Sequence, residues 1–275
     1  YTLTAPATVE VNVTATTLAD GKNITCHGGA DGQLEAMIQG GTAPYTIAWT
    51  GPDLFNASTA MISGLAAGNY ALTVTDANEC SHVSTHTLTQ PEPLVVDLAS
   101  VTYSGGFNIP CATLAIGVFN ATVTGGTPTY TYAWTGPDGF TSDAEDLMSL
   151  VAGVYDLAVT DALGCTGSAS ATLTAPDELE VVIAITDFNG DQVSCAGNDG
   201  GIEVSVTGGA PDYQFEWIGP NGFTSQDEDL SDLGPGTYSL TVTDQNGCRN
   251  DSLITLDAPE PLAASFQRVS NPCAS

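Results

Sequence analysis

The thirteen residues GNYALTVTDANEC at 68–80 return as GVYDLAVTDALGC at 153–165 and as GTYSLTVTDQNGC at 236–248. A stretch written three times at a near-constant interval restricts the chain to architectures made of repeated copies of one unit. The anchors agree on the interval. Trp49, Trp134 and Trp217 advance by about 85 residues, and so do Cys80, Cys165 and Cys248. TLTAP at 2–6 recurs as TLTQP at 87–91, TLTAP at 172–176 and ITLDAP at 254–259. The repeats therefore run over 7–91, 92–176 and 177–259. Residues 1–6 read as the terminal strand of a preceding repeat and 260–275 as the start of a following one, so the chain is expected to be a cut from a longer array.

Within the quoted stretch Tyr70, Leu72 and Val74 share one parity, as do Tyr155, Leu157, Val159 and Tyr238, Leu240, Val242. Alternation with period two among aromatic and branched residues marks a half-buried strand. It ends in D-A-N-E, D-A-L-G or D-Q-N-G, turn-forming sequences, and a second alternating run follows. A further pattern, PYTIAWTGP (44–52), PTYTYAWTGP (128–137) and PDYQFEWIGP (211–220), aligns Tyr45, Ile47 and Trp49 on one face. Upstream, Leu34, Ala36 and Ile38 correspond to Phe119, Ala121, Val123 and to Ile202, Val204, Val206, each run closing on Gly-Gly, a place for positive φ. No segment sustains a 3.6-residue period. Six or seven short strands in each repeat, with turns at regular intervals, predict an all-β chain of antiparallel sandwiches. The tryptophans are then core residues rather than sugar-stacking platforms.

The seven cysteines sort by repeat: Cys26 with Cys80, Cys111 with Cys165, Cys195 with Cys248. Partners lie about 54 positions apart in every repeat, which predicts one intradomain disulfide each, Cys26–Cys80, Cys111–Cys165 and Cys195–Cys248, worth roughly 4 kcal/mol on the chain-entropy model. Cys273 then stands where a fourth repeat would place its first cysteine, unpaired by truncation. Such usage implies an oxidising, extracytoplasmic setting.

Taken together, G-G-T-x-P-Y-T-x-x-W, L-x-x-G-x-Y-x-L-x-V-T-D-x-x-G-C and T-L-T-x-P resemble the SprB-type repeat of very large Bacteroidetes surface adhesins. The resemblance covers nearly the whole chain. It implies immunoglobulin-like sandwiches, export by the type IX system, and a role in surface adhesion or gliding motility; it carries no catalytic residue. Asn78-Glu79 and Leu163-Gly164 depart from the usual Asn-Gly of the hairpin.

Acidic side chains number 32 against three Lys and Arg (Lys22, Arg249, Arg268), a formal charge of −29. Without a basic patch to neutralise phosphates, nucleic acid is excluded as a partner, and anionic lipid is disfavoured for the same reason. No apolar run reaches the length of a membrane span, so direct insertion is not expected. Between repeats, TLTQPEPLVVDL (87–98) and TLTAPDELEVVI (172–183) pass from strand to strand through prolines, which predicts short stiff junctions and a rod-like array.

Several residues invite a functional reading. Asp76, Asp161 and Asp244 precede the hairpin turn in all three repeats and could share a calcium ion with neighbouring oxygens; the plainer alternative is a side chain capping its own turn. Phe55, Phe140 and Phe223 in the GPDLF, GPDGF and GPNGF loops are candidate ligand contacts if exposed, and edge-covering core residues otherwise. His27, His82 and His86 suggest a zinc site only in the first repeat, which favours accident. Asn12, Asn23, Asn56, Asn120 and Asn250 head N-x-S/T sequons, and Asp251-Ser252-Leu253 resembles a short O-glycosylation signal at Ser252.

No nucleophile elbow, P-loop or repeated histidine is present, so an enzyme is not expected. Two readings follow. One is an extracellular adhesin or stalk whose repeated weak contacts to surface or matrix glycans and proteins give avidity. The other is an extracellular filament of copies joined end to end or by strand exchange through YTLTAP. No cofactor is expected beyond a possible calcium.

Overall fold

The structure, a computed structural model, describes residues 7–260 apart from Asn189 and Ala196. The expected tail strand at 1–6 and, apart from Glu260, the expected opening at 260–275 with Cys273 lie outside the described residues. Strands of the first repeat are β1 (Glu10–Ala15), β2 (Gly32–Gln39), β3 (Thr46–Thr50), β4 (Asn56–Ala57), β5 (Met61–Leu65), β6 (Gly68–Thr75) and β7 (Ser81–Leu88). Those of the second are β8 (Val95–Ala99), β9 (Gly117–Thr124), β10 (Thr131–Thr135), β11 (Thr141–Ser142), β12 (Leu147–Leu150), β13 (Gly153–Thr160) and β14 (Thr166–Leu173). The third contributes β15 (Glu180–Ile185), β16 (Gly200–Thr207), β17 (Gln214–Ile218), β18 (Thr224–Ser225), β19 (Leu230–Leu233), β20 (Gly236–Thr243) and β21 (Arg249–Leu256).

Every repeat makes the same two antiparallel sheets. Three-stranded sheets run β1-β2-β5, β12-β9-β8 and β15-β16-β19; four-stranded ones run β4-β3-β6-β7, β11-β10-β13-β14 and β18-β17-β20-β21. The first, second and fifth strands form one layer and the other four the second, an immunoglobulin-like arrangement of seven strands. The chain is all-β, as its alternation predicts.

Two compact units contain these strands. Within the described residues, the first comprises 7–99, 119–147 and 153–172, and the second 100–118, 148–152 and 173–260. In the first unit, Leu34, Trp49, Leu65, Tyr70, Leu72 and Val74 fill the space between the sheets of the first repeat. Trp49 faces Leu72 across the β3–β6 pair, and its indole N–H reaches the Thr59 carbonyl at 3.0 Å. In the same unit, Phe119 on β9 stacks on Trp134 of β10 at 5.8 Å and meets Tyr155 of β13 edge-on at 5.6 Å. Indole N–H groups of Trp134 and Trp217 bond Ala144 and Asp227 carbonyls, both at 2.9 Å, so each tryptophan is a core residue with its polar edge satisfied. The second unit holds the third core, with Trp217, Leu240, Val242 and Ile202 at its centre.

The Gly-Gly pairs do more than turn the chain. At Gly125 and Gly126 φ is +75° and +60°, and a Cβ on Gly125 would lie 1.9 Å from the Pro93 carbonyl oxygen. Gly126 N–H donates to Glu92 at 2.9 Å. In the second unit Gly209 N–H donates to Asp177 at 2.9 Å, and a Cβ on Gly208 would lie 1.9 Å from Glu178 O. The incoming connector is therefore seated against the second and third repeats by a backbone approach that only glycine permits.

Candidate functional site

Each repeat carries a cysteine at either end. The first cysteine sits on a loop pinned beside the last strand of its own repeat. Asn23 and Ile24 N–H both reach the Thr89 carbonyl, at 2.9 and 3.1 Å, while Asn23 Oδ1 accepts Thr89 N–H at 2.9 Å and Asn23 Nδ2 donates to Thr16 O at 3.0 Å. Asn108 and Ile109 make the same clamp on Thr174, and Gln192 and Val193 on Asp257. Ile24, Ile109 and Val193, two residues before the cysteine, are fully buried and plug the loop into the core.

The second cysteine closes the hairpin at the other end. Asp161 Oδ1 accepts N–H from Leu163 at 2.9 Å and from Cys165 at 2.8 Å, and Oδ2 accepts Thr127 N–H at 2.8 Å. Asp76 does this with Asn78, Cys80 and Thr42, and Asp244 with Asn246, Cys248 and Ala210. All three aspartates are buried. Burial alone would raise the pKa of Asp76 and Asp161, but the backbone N–H donors outweigh it and hold both carboxyls below the usual value. Their oxygens are thus occupied by the turn itself. Among the described residues, no group of three His, Cys, Asp or Glu is placed to hold a metal ion, and His27 and His86 instead contact Pro91 O and Ser84 Oγ.

The pairing of the cysteines corrects the sequence expectation. Cys26 is bonded to Cys165, not Cys80, and Cys111 to Cys248, not Cys165; Cys80 and Cys195 are free and exposed, so Cys195–Cys248 is not formed either. Each disulfide stays inside one compact unit but joins two sequence repeats. The reason is the length of a strand. The loop cysteine lies at the Leu88 end of the β6–β7 hairpin and Cys80 at the Ser81 end. Eight extended residues separate those ends by roughly 27 Å, whereas bonded cysteines need Cα atoms about 4.4–6.8 Å apart. A cysteine pair within one repeat cannot meet; the loop of one repeat and the hairpin of the next can.

Polar contacts surround both bridges. In the first unit Thr127 Oγ1 donates to Asp20 Oδ2 at 3.1 Å, and Cys165 Sγ lies 3.3 Å from Thr25 O. In the second, Asn246 Oδ1 accepts Ser104 N–H at 3.1 Å, and its Nδ2 donates to Ser104 O and Pro110 O at 3.2 and 3.3 Å. The partners Asp20 and Ser104 belong to corresponding turns, closed by Leu18 N–H to Lys22 O and by Tyr103 N–H to Phe107 O. A joint is therefore a turn and a loop cysteine from one repeat, meeting the Asp-capped hairpin of the next.

The other candidates take quieter places. Phe55, Phe140 and Phe223 fold back on Tyr70, Tyr155 and Tyr238 in edge-to-face contacts at 5.5, 5.6 and 5.6 Å, each half-buried, so none is offered as an exposed aromatic. Asn12, Asn56 and Asn120 are exposed, whereas the amide nitrogens of Asn23 and Asn250 are engaged by Thr16 O and Leu179 O. Ser252 is half-buried beside Asn250. The joint itself escaped the sequence reading, yet one signal for its loop was present: an amide side chain three residues before the first cysteine of every repeat, at Asn23, Asn108 and Gln192.

The family model of the SprB repeat matches residues 19–54 and 189–222. No curated protein matches the chain. Among solved structures, it is similar to a 1.5-MDa bacterial ice-binding adhesin, at 11% identity over 92% of this chain and 98% of that one, with a TM-score of 0.45. A calcium-stabilised adhesin with which an Antarctic bacterium binds ice gives 14% identity, 94% and 76% coverage and 0.35. The eight N-terminal immunoglobulin domains of Down Syndrome Cell Adhesion Molecule give 11%, 93%, 45% and 0.41.

Proposed function

We propose, for a chain that carries SprB repeats at two places, the role of a non-catalytic segment of an extracellular adhesin or stalk. Its domains are the repeats 7–91, 92–176 and 177–259, and its work is to hold binding surfaces away from a cell. The observation that supports this most is the disulfide between successive repeats, Cys26–Cys165 and Cys111–Cys248. A bond of that kind forms in an oxidising compartment and makes a pull on one repeat a pull on its neighbour. The net charge of −29 favours solubility and self-repulsion, suits surface or matrix glycans and proteins as partners, and disfavours nucleic acid. Export by the type IX system and a part in gliding are the finer reading that goes with the repeat family.

Antibody labelling of intact cells, with protease shaving, tests the assignment. Surface signal removed by the protease is expected; signal that appears only after permeabilisation refutes it.

A further inference from the structure

The two bridges overlap along the chain. Cys26–Cys165 closes a loop with a sequence separation of 139 and Cys111–Cys248 one of 137, and both loops contain residues 111–165. The overlap depends on no residue before Cys26 or after Cys248. It decides how far the chain can be drawn out under load. Between Cys26 and Cys248 the polypeptide alone runs about 222 positions, roughly 780 Å when fully extended. With both bridges closed there is a shorter covalent route: across the first bridge to Cys165, back along the chain to Cys111, and across the second to Cys248. That route is about 54 positions, roughly 190 Å extended, and the longer routes are still slack when it is taut.

Either bridge alone still confines the chain. Without Cys26–Cys165 the route runs about 85 positions from Cys26 to Cys111, and without Cys111–Cys248 about 83 from Cys165 to Cys248, roughly 300 Å in both cases. Losing one bond therefore adds only roughly 100 Å, whichever it is, and losing the second adds roughly 490 Å more. Bonds placed one inside each repeat would instead release similar lengths, bond by bond. The folded second repeat spans the short route along one strand. Cys165 directly precedes β14 and Thr174 directly follows it. At Thr174 the loop of Cys111 is tied on: Asn108 and Ile109 N–H each reach Thr174 O at 2.9 Å, and Asn108 Oδ1 accepts the Thr174 N–H at 3.0 Å and its hydroxyl at 3.1 Å. Asn108 Nδ2 donates in turn to Ser100 Oγ at 2.9 Å and Val101 O at 3.1 Å, which fixes the amide in the clamp.

We infer that the overlapping bridges make this chain a strain-limited tether with a reserve bond. Tension entering at Cys165 crosses the second repeat along β14 and the Asn108 clamp to Cys111. When the clamp gives, the chain lengthens no further than the segment 111–165 allows, and the loss of either bridge moves that limit only slightly. This rests on the stalk reading for its purpose, but the limit itself is a property of the molecule: it holds or fails whether or not cells display the chain.

The test stretches single molecules. The full chain, its remaining thiols alkylated, is tethered by terminal peptide tags in an optical trap, extended until unfolding releases no more length, and exposed to dilute phosphine reductant. Two steps in contour length are expected, roughly 100 Å and then roughly 490 Å, in that order whichever bond is cut first. Cys165→Ser and Cys248→Ser should each lack the small step and keep the large one. Asn108→Ala should lower the force at which the segment 111–165 is released and leave both step sizes unchanged. Steps of similar size, three steps, no step at all, or a release force that Asn108→Ala does not alter would each overturn the inference.

Discussion

Replacing Asp161 by asparagine changes one atom in the turn that presents Cys165. In the wild type Oδ1 takes two N–H donors, from Leu163 and Cys165, and Oδ2 takes one from Thr127. The amide keeps the pair by leaving its oxygen at the Oδ1 position, and its NH2 group then faces the Thr127 N–H, donor against donor. Both residues are buried, so no water readily fills the gap. A hydrogen bond to a charged group contributes about 1.5–3 kcal/mol and an orphaned buried donor costs about 1–3. These overlap, and about 3 kcal/mol is expected for Asp161→Asn. If the second repeat melts alone, that is a fall in Tm of roughly 12–24 °C; if it melts with its stapled neighbour, roughly 6–12 °C. Calorimetry on the wild type, Asp161→Asn and the exposed control Asp156→Asn measures both the loss and the size of the cooperative unit. The pH dependence is a second handle. The folded carboxyl sits below its unfolded pKa, so its contribution is complete above about pH 3.9 and fades as pH falls through the folded value. Wild type and variant should therefore converge in acid. A variant within about 0.5 kcal/mol of wild type at pH 7 would refute the capping argument, as would a gap that persists undiminished at pH 2.

Other expectations concern the same joint. Non-reducing peptide mapping should recover Cys26–Cys165 and Cys111–Cys248, with sequence separations of 139 and 137; removing the first bridge by Cys165→Ser should destabilise by up to about 5 kcal/mol, read by denaturant titration. Gly125→Ala should destabilise more than an alanine placed at Gly139: both have positive φ, but the Gly139 Cβ has no neighbour within 4 Å while the Gly125 Cβ would clash with Pro93 O. A chelator should leave the melting curve unchanged, because the Asp76, Asp161 and Asp244 oxygens are filled by N–H donors; a drop in Tm on adding chelator would reinstate calcium.

The strands were legible because burial alternates with residue parity. Tyr70, Leu72 and Val74 read as one face of a strand and lie buried on one face of β6, and the tryptophans, at about one position per repeat, lie in the cores. The Gly-Gly pairs also announced positive φ. What the sequence does not display is the partner of a glycine or a cap. Gly125 is required by the Pro93 carbonyl from the connector at the start of its repeat, and Asp161 by N–H groups up to 34 residues away. The two-residue strands at 56–57, 141–142 and 224–225 are too short to show a period at all.

The disulfide error has a sharper cause. In a tandem array, a cysteine at one position and a cysteine at another define two pairings with the same regularity, one inside a repeat and one between successive repeats. Spacing cannot choose between them, since every repeat offers both cysteines in register. Only the direction of the strands decides: Cys26 lies at the end of the hairpin where β7 finishes, Cys80 at the end where it starts, and the strand between them spans about 27 Å. Intradomain bonds would have left the repeats to unfold one at a time. A bond from loop to next hairpin closes a loop across two repeats, restrains the unfolded chain of both, and couples their stability. Among the described residues, the two cysteines outside the bridges are Cys80 at a hairpin and Cys195 on a loop, the same two kinds of position that the formed bridges join.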